Sequence, residues 1–137
     1  MSRSLILFAA AACLAAGCVP PELMEEDAPA EPASFEPVAE LTRGSCAAVS
    51  SCHGATSPTA FAVEGDGAAT DAQVRAAIEG VTTNADVPMV VPGEPEQSAL
   101  YLRLVETGPK RMPPVGNLTE EQIESVRVWI ADGAHYE

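Results

Sequence analysis

Aromatic side chains are scarce in these 137 residues: one Trp, two Tyr and three Phe. A core of many stacked rings is excluded, and each large ring becomes a landmark. Basic residues are scarce too, seven Lys and Arg against twenty Asp and Glu, for a formal charge of -13. Nucleic acid is therefore not an expected partner, because phosphate binding needs a basic footprint. No apolar run reaches the roughly 20 residues of a membrane-spanning helix. The chain also lacks an internal repeat, a strand-like alternation, a phosphate loop, a paired-carboxylate motif and a Ser-His-Asp order, so hydrolase or nucleotide chemistry has no support. This length leaves room for one domain, and a domain of roughly 100 residues that bound a cofactor would gain apolar surface to bury.

What is present begins with an address. Arg3 precedes an apolar stretch from Leu5 to Leu14 and small residues ending at Gly17, the pattern of a secretory signal peptide over residues 1–17. Leu14-Ala15-Ala16-Gly17-Cys18 resembles the lipobox of bacterial lipoproteins, with Ala15 where Leu or Val is usual. That resemblance makes Cys18 a lipidation site and the chain a lipid-anchored protein of the cell envelope. By the same resemblance Val19, which is not Asp, directs it to the outer membrane facing the periplasm. Residues 18–33 then read as a tether rich in Pro, Glu and Ala with nothing to bury, Met24 included, and the folded domain as residues 34–137.

Four short helices are expected there, joined by long loops, in an all-α domain. Phe35, Val38 and Leu41 recur at spacing three in the first, Ser34 to Thr42, which Gly44 should end. A second runs from Thr70 to Glu79, capped by Thr70 or Asp71 and stopped by Gly80. The third, Ser98 to Val105, should close at Gly108-Pro109. In the last, Thr119 and Gln122 form a capping box, Ile123, Val126, Trp129 and Ile130 face inward, and Gly133 is the exit. So much loop usually wraps a ligand or is stapled.

With Cys13 in the signal segment and Cys18 assigned to lipid, Cys46 and Cys52 remain, an even pair that in an oxidising compartment is first a disulfide candidate. His53 directly after Cys52 suggests more. Cys46 to His53 looks like a haem c attachment site, in which two Cys sulfurs join the porphyrin and the His binds iron. Five residues separate the two Cys where two are usual, and positions six apart point about 240° apart around a helix. Cys46 can contribute only if residues 47–51 bulge, and Ala, Ala, Val, Ser and Ser permit that. A single thioether through Cys52 is the simpler alternative, since Val49 stands where the first Cys usually does.

Arg111-Met112-Pro113-Pro114 resembles the distal-ligand loop of class I cytochromes c. A thioether there favours reduced iron and suits electron transfer. Over residues 35–134 the chain resembles small mono-haem c-type cytochrome modules of exported myxobacterial and planctomycete proteins. The matching features are Phe35, Cys46 to His53, Pro92 to Leu100, Met112-Pro113 and Trp129-Ile130-Ala131-Asp132-Gly133-Ala134. The resemblance implies a cytochrome c-like fold around one haem c, with His53 and Met112 as axial ligands, Cys46 and Cys52 as thioether donors with Cys52 preferred, and Phe35 and Val38 packed on Val126 and Trp129. It implies an electron carrier with redox protein partners and no enzymatic step. Met89 is the rival ligand, and His135 reads as solvated. Two alternatives stay open: a haem-free structural or interaction module with a Cys46–Cys52 disulfide, and a copper or other soft-metal site built from Cys, His and Met.

Overall fold

Capping boxes start two of the helices. In the computed structural model, which describes residues 31–137, Thr119 Oγ1 accepts from the Gln122 N–H at 3.1 Å while Gln122 Oε1 accepts from the Thr119 N–H at 2.9 Å. Two orphan donors are satisfied at once, with Glu120 and Glu121 beside the positive end of the helix dipole. This helix, α4, spans Glu120–Ala131 and buries Val126, Trp129 and Ile130, with Ile123 partly covered. It ends as expected at Gly133, whose φ of 105° is open only to a residue without a side chain to clash. The second box pairs Thr70 with Gln73 and opens α2, Asp71–Ile78, which buries Val74, Ala77 and Ile78 and stops before Gly80.

The other two helices depart from expectation at their ends. α1 covers Glu36–Leu41, with Phe35 as N-cap; Ser34 stands one place too early and accepts from the Glu36 N–H at 3.2 Å. Gly44 does not stop the chain. The backbone widens into a π turn, Thr42–Cys46, in which Gly44 is an ordinary member and the Ala47 N–H reaches the Thr42 carbonyl at 2.8 Å. α3 runs Ala99–Val105 and leaves the helical path at Glu106, before Gly108. The Ser98 hydroxyl gives up capping to tie down the preceding turn, accepting from the Val91 N–H at 2.8 Å and donating to the Glu94 carbonyl at 2.9 Å.

The result is an all-α arrangement of four helices among the described residues, where one isolated antiparallel bridge, Thr82 with Pro88, is the sole extended pairing. α4 is the hub, packing on α1 and on α3, while α1 also meets α2. The Phe35 and Trp129 rings lie 5.3 Å apart, so the α1–α4 contact expected from the resemblance is present. Tyr136 joins them from beyond the helix exit, 4.9 Å from Phe35 and 5.2 Å from Trp129. The compact unit starts at Glu31: Ala33 lies against the core and its N–H donates to Asp132 at 2.6 Å, so the last three tether residues belong to the domain. The signal segment, Cys18 and Met24 lie outside the described residues. Among those described, no helix is long and apolar enough to cross a membrane.

Candidate functional site

The π turn delivers the chain to Cys46, and there the two cysteines part. Ala47 stays buried in the core, and residues 48–52 then swing outward as a loop closed at its base by the His53 N–H, which donates to the Cys46 carbonyl at 3.2 Å, and pinched inside by the Cys52 N–H to Val49 carbonyl bond at 2.9 Å. The chain between the two cysteines thus leaves the helical path. Val49 rides on it at 57% exposure. Cys46 stays in the wall of a cavity; Cys52 is exposed and outside that wall; His53 returns to it. Both thiols are free.

Asp66 fastens this loop from outside. Its carboxylate accepts from the Ser50 hydroxyl at 2.6 Å and from the Ala55 N–H at 2.7 Å, bridging the segments before and after Cys52-His53. Asp66 adopts φ 53° to do so, an αL conformation that Asp tolerates better than most residues. These bonds, Ser50 first, hold its pKa below the usual 3.8. The charged form is the one bonded, so the fastening is complete above the unfolded pKa and is lost as pH falls through the lowered one.

The His53 ring is fixed in orientation and tautomer. Its Nδ1 lies 2.9 Å from the Phe61 carbonyl oxygen, which can only accept, so Nδ1 carries a proton and the lone pair of the neutral ring is on Nε2. Thr59 supports the same carbonyl, donating to it at 2.8 Å, and the Phe61 ring lies 4.8 Å from the imidazole. A backbone carbonyl on one ring nitrogen is the arrangement that prepares the other to bind a metal.

His53 and Cys46 border a cavity of about 410 Å³, within the range of small-ligand and cofactor sites. Phe61, Leu100 and Leu104 give it apolar walls. Both methionines singled out in the sequence reach it. Met112 is partly exposed, on a loop held by its own N–H to the Arg103 carbonyl at 2.8 Å; Met89 is 5% exposed, with its N–H on the Val81 carbonyl at 2.8 Å. His135 is solvent-exposed and away from this lining. Thr59, Phe61, Asp66 and Arg103 were not singled out by sequence, because none sits in a motif or on a periodic face.

Burial pushes the Cys46 thiol up to about 11 from 9.0. The folded chain thus holds this proton more tightly than the unfolded chain, so the stability it contributes is present below pH 9 and lost as pH rises through 11. That difference corresponds to roughly 3 kcal/mol at the upper end. Urea denaturation of the chain with unmodified thiols should show this decline, and Cys46→Ser should remove most of it. The remainder belongs to Tyr136, raised to about 12 chiefly by burial and active only above pH 10. A Cys46→Ser profile identical to the wild type would show that the thiol is not sequestered.

Among the described residues no three His, Cys, Asp or Glu side chains gather into a metal-binding group. A metal at His53 would draw its other donors from Cys46, from thioethers or from a macrocycle. Comparison with known proteins finds no matching family, no matching curated protein and no matching solved structure.

Proposed function

We propose that this domain is an electron carrier that holds one c-type haem, with iron between His53 and Met112, in a lipoprotein anchored through Cys18 to the outer membrane and facing the periplasm. The observation that carries the reading is the His53 imidazole, with Nδ1 committed to the Phe61 carbonyl, at the edge of a largely apolar cavity that Met112 also lines. A haem bound there supplies reversible one-electron chemistry, and a His/Met ligand pair favours the reduced metal.

The chain's own residues do the rest. Phe61, Leu100 and Leu104 exclude water, which raises the cost of the more charged oxidised state. Of the two cysteines, Cys46 already stands in the wall, whereas Cys52 would enter it by an inward turn of the 48–52 loop. His53 and Met112 would hold the iron, and with both bound no coordination position would be left for oxygen or peroxide. A haem-free module stapled by a Cys46–Cys52 disulfide would need the closed 46–53 loop but not a cavity walled by Cys, His and Met; the cavity favours the haem reading over it.

The full-length chain, produced alongside a haem c maturation system, should be red and give a pyridine haemochrome spectrum of a thioether-linked haem. A colourless protein without free thiols would overturn the reading in favour of the disulfide module. Met112→Ala should erase the sulfur-to-iron absorption band of the oxidised protein while the haem stays attached, and Met89→Ala should leave the band in place. The reverse outcome would transfer the ligand role to Met89.

A further inference from the structure

The cations of this acidic domain are almost all spoken for. Arg43 pairs with Asp71, Arg75 with Glu79, Arg103 with Glu106 and Arg127 with Glu124, while Arg111 spends its guanidinium on the Gly116 carbonyl and the Asn117 side chain. Lys110 stands apart. Among the described residues it is the one cation with neither an ion pair nor a side-chain hydrogen bond, in a chain where Asp and Glu outnumber Lys and Arg twenty to seven.

Lys110 also borders the cavity, and so does Arg103. The two belong to one stretch of wall, because the Met112 N–H, two residues after Lys110, is bonded to the Arg103 carbonyl at 2.8 Å. Arg103 uses one donor nitrogen, 2.9 Å from Glu106, and keeps the rest of its fork for another acceptor. Two cations with unspent donors on one wall, facing apolar walls elsewhere, describe a ligand with an apolar body and an anionic end.

We infer that Lys110 and Arg103 form a carboxylate subsite, which fixes how the ligand sits: its carboxylates lie toward Lys110 and Arg103. On the haem reading, on which the inference rests, those groups are the propionates. The two cations hold them ionised to low pH, because a nearby positive charge favours the charged form of a carboxylate.

The test is the midpoint potential of the haem-loaded, full-length protein followed from pH 5 to 8. Loss of a propionate proton stabilises oxidised iron, so the potential falls as pH rises through the propionate pKa. In the wild type that fall should lie below the range and the curve should be flat. Lys110→Gln should bring it into view by moving it up by at least one pH unit, Lys110→Gln with Arg103→Gln should move it further, and Lys110→Arg should restore the flat profile. Lys110 is exposed and unpaired, so its replacement leaves the fold alone. Superimposable profiles in a red protein would overturn the subsite and leave the haem reading standing. A wild type that takes up no haem would overturn both. A second measurement uses the haem-free chain: protoporphyrin IX should bind at least ten times more tightly than its dimethyl ester, and equal binding would count against the subsite alone.

Discussion

Replacing Trp129 with Ala should lower the unfolding free energy by about 4 kcal/mol, within the 3–5 typical of a buried Trp. Trp129 is the largest side chain with no exposure, and it stands where three of the chain's six aromatic rings meet. Phe35 reaches it from α1 and Tyr136 from the carboxyl end, so its loss opens both contacts together. The tilted and edge-on geometries add about 0.5–1.5 kcal/mol per pair beyond area burial. A domain of this size should lose roughly 15–30 °C in Tm. Trp129→Phe separates packing from hydrogen bonding: it keeps a ring but removes the indole N–H that donates to the His135 carbonyl at 2.6 Å, for about 1 kcal/mol. Urea titrations should show a lower midpoint at unchanged slope. Equal losses for the two variants would mean that the hydrogen bond, not the ring, holds the carboxyl end to the core.

That cluster also marks what could be read ahead of the structure. The capping box at Thr119 and Gln122 and the face made by Val126, Trp129 and Ile130 are local statements, settled by spacing within one helix, and both are present. The start of α2 at Thr70 was legible for the same reason. Helix ends that depend on partners elsewhere were not. Gly44 reads as a stop, yet the Thr42 carbonyl finds the Ala47 N–H and the chain continues through a π turn. Ser98 reads as the first residue of a helix, yet it precedes α3 and its hydroxyl is drawn to the turn at Val91 and Glu94.

The site divides along the same line. Cys46, Cys52, His53, Met89 and Met112 announced themselves by chemistry and spacing. Which of them share a wall depends on loop closure, which spacing does not encode. The His53 to Cys46 backbone bond sets Cys46 inside and Cys52 outside, and the Phe61 carbonyl that orients the imidazole comes from a segment without any periodic pattern. Met89 and Met112 both reach the cavity, so burial alone does not rank them as ligands. The spectroscopic comparison of their Ala variants does.

Gly54→Ala should be the most damaging small change at the site. A Cβ there would stand 2.1 Å from Asp66 Oδ1 and 2.6 Å from Ser50 Cα, closer than real contacts come, and the second neighbour is backbone. Gly54 follows His53 directly, so the displacement acts on the residue read as the iron ligand. One methyl group forced into a packed site typically costs 1–3 kcal/mol, and here the upper end, about 3 kcal/mol, is expected because a backbone atom must also move. Asp66→Ala removes the nearer obstruction together with both bonds that fasten the loop, so alone it should also lower stability, though by less than Gly54→Ala. The double variant then separates two accounts. If the Asp66 side chain sets the limit, adding Asp66→Ala to Gly54→Ala costs nothing further or recovers stability; if Ser50 Cα does, the two losses add. The overlap distances predict a result between these, with the double variant losing less than the sum of the singles, since the two sites share one contact. Nitrogen NMR of the His53 imidazole supplies a readout that stability alone would not move. With the fastening broken, Nδ1 should lose its fixed carbonyl partner and the proton of the neutral ring should shift in part from Nδ1 to Nε2, as in an unrestrained imidazole. A His53 that keeps a single tautomer in both variants would show that Phe61 and Thr59 orient the ring without help from the loop behind it.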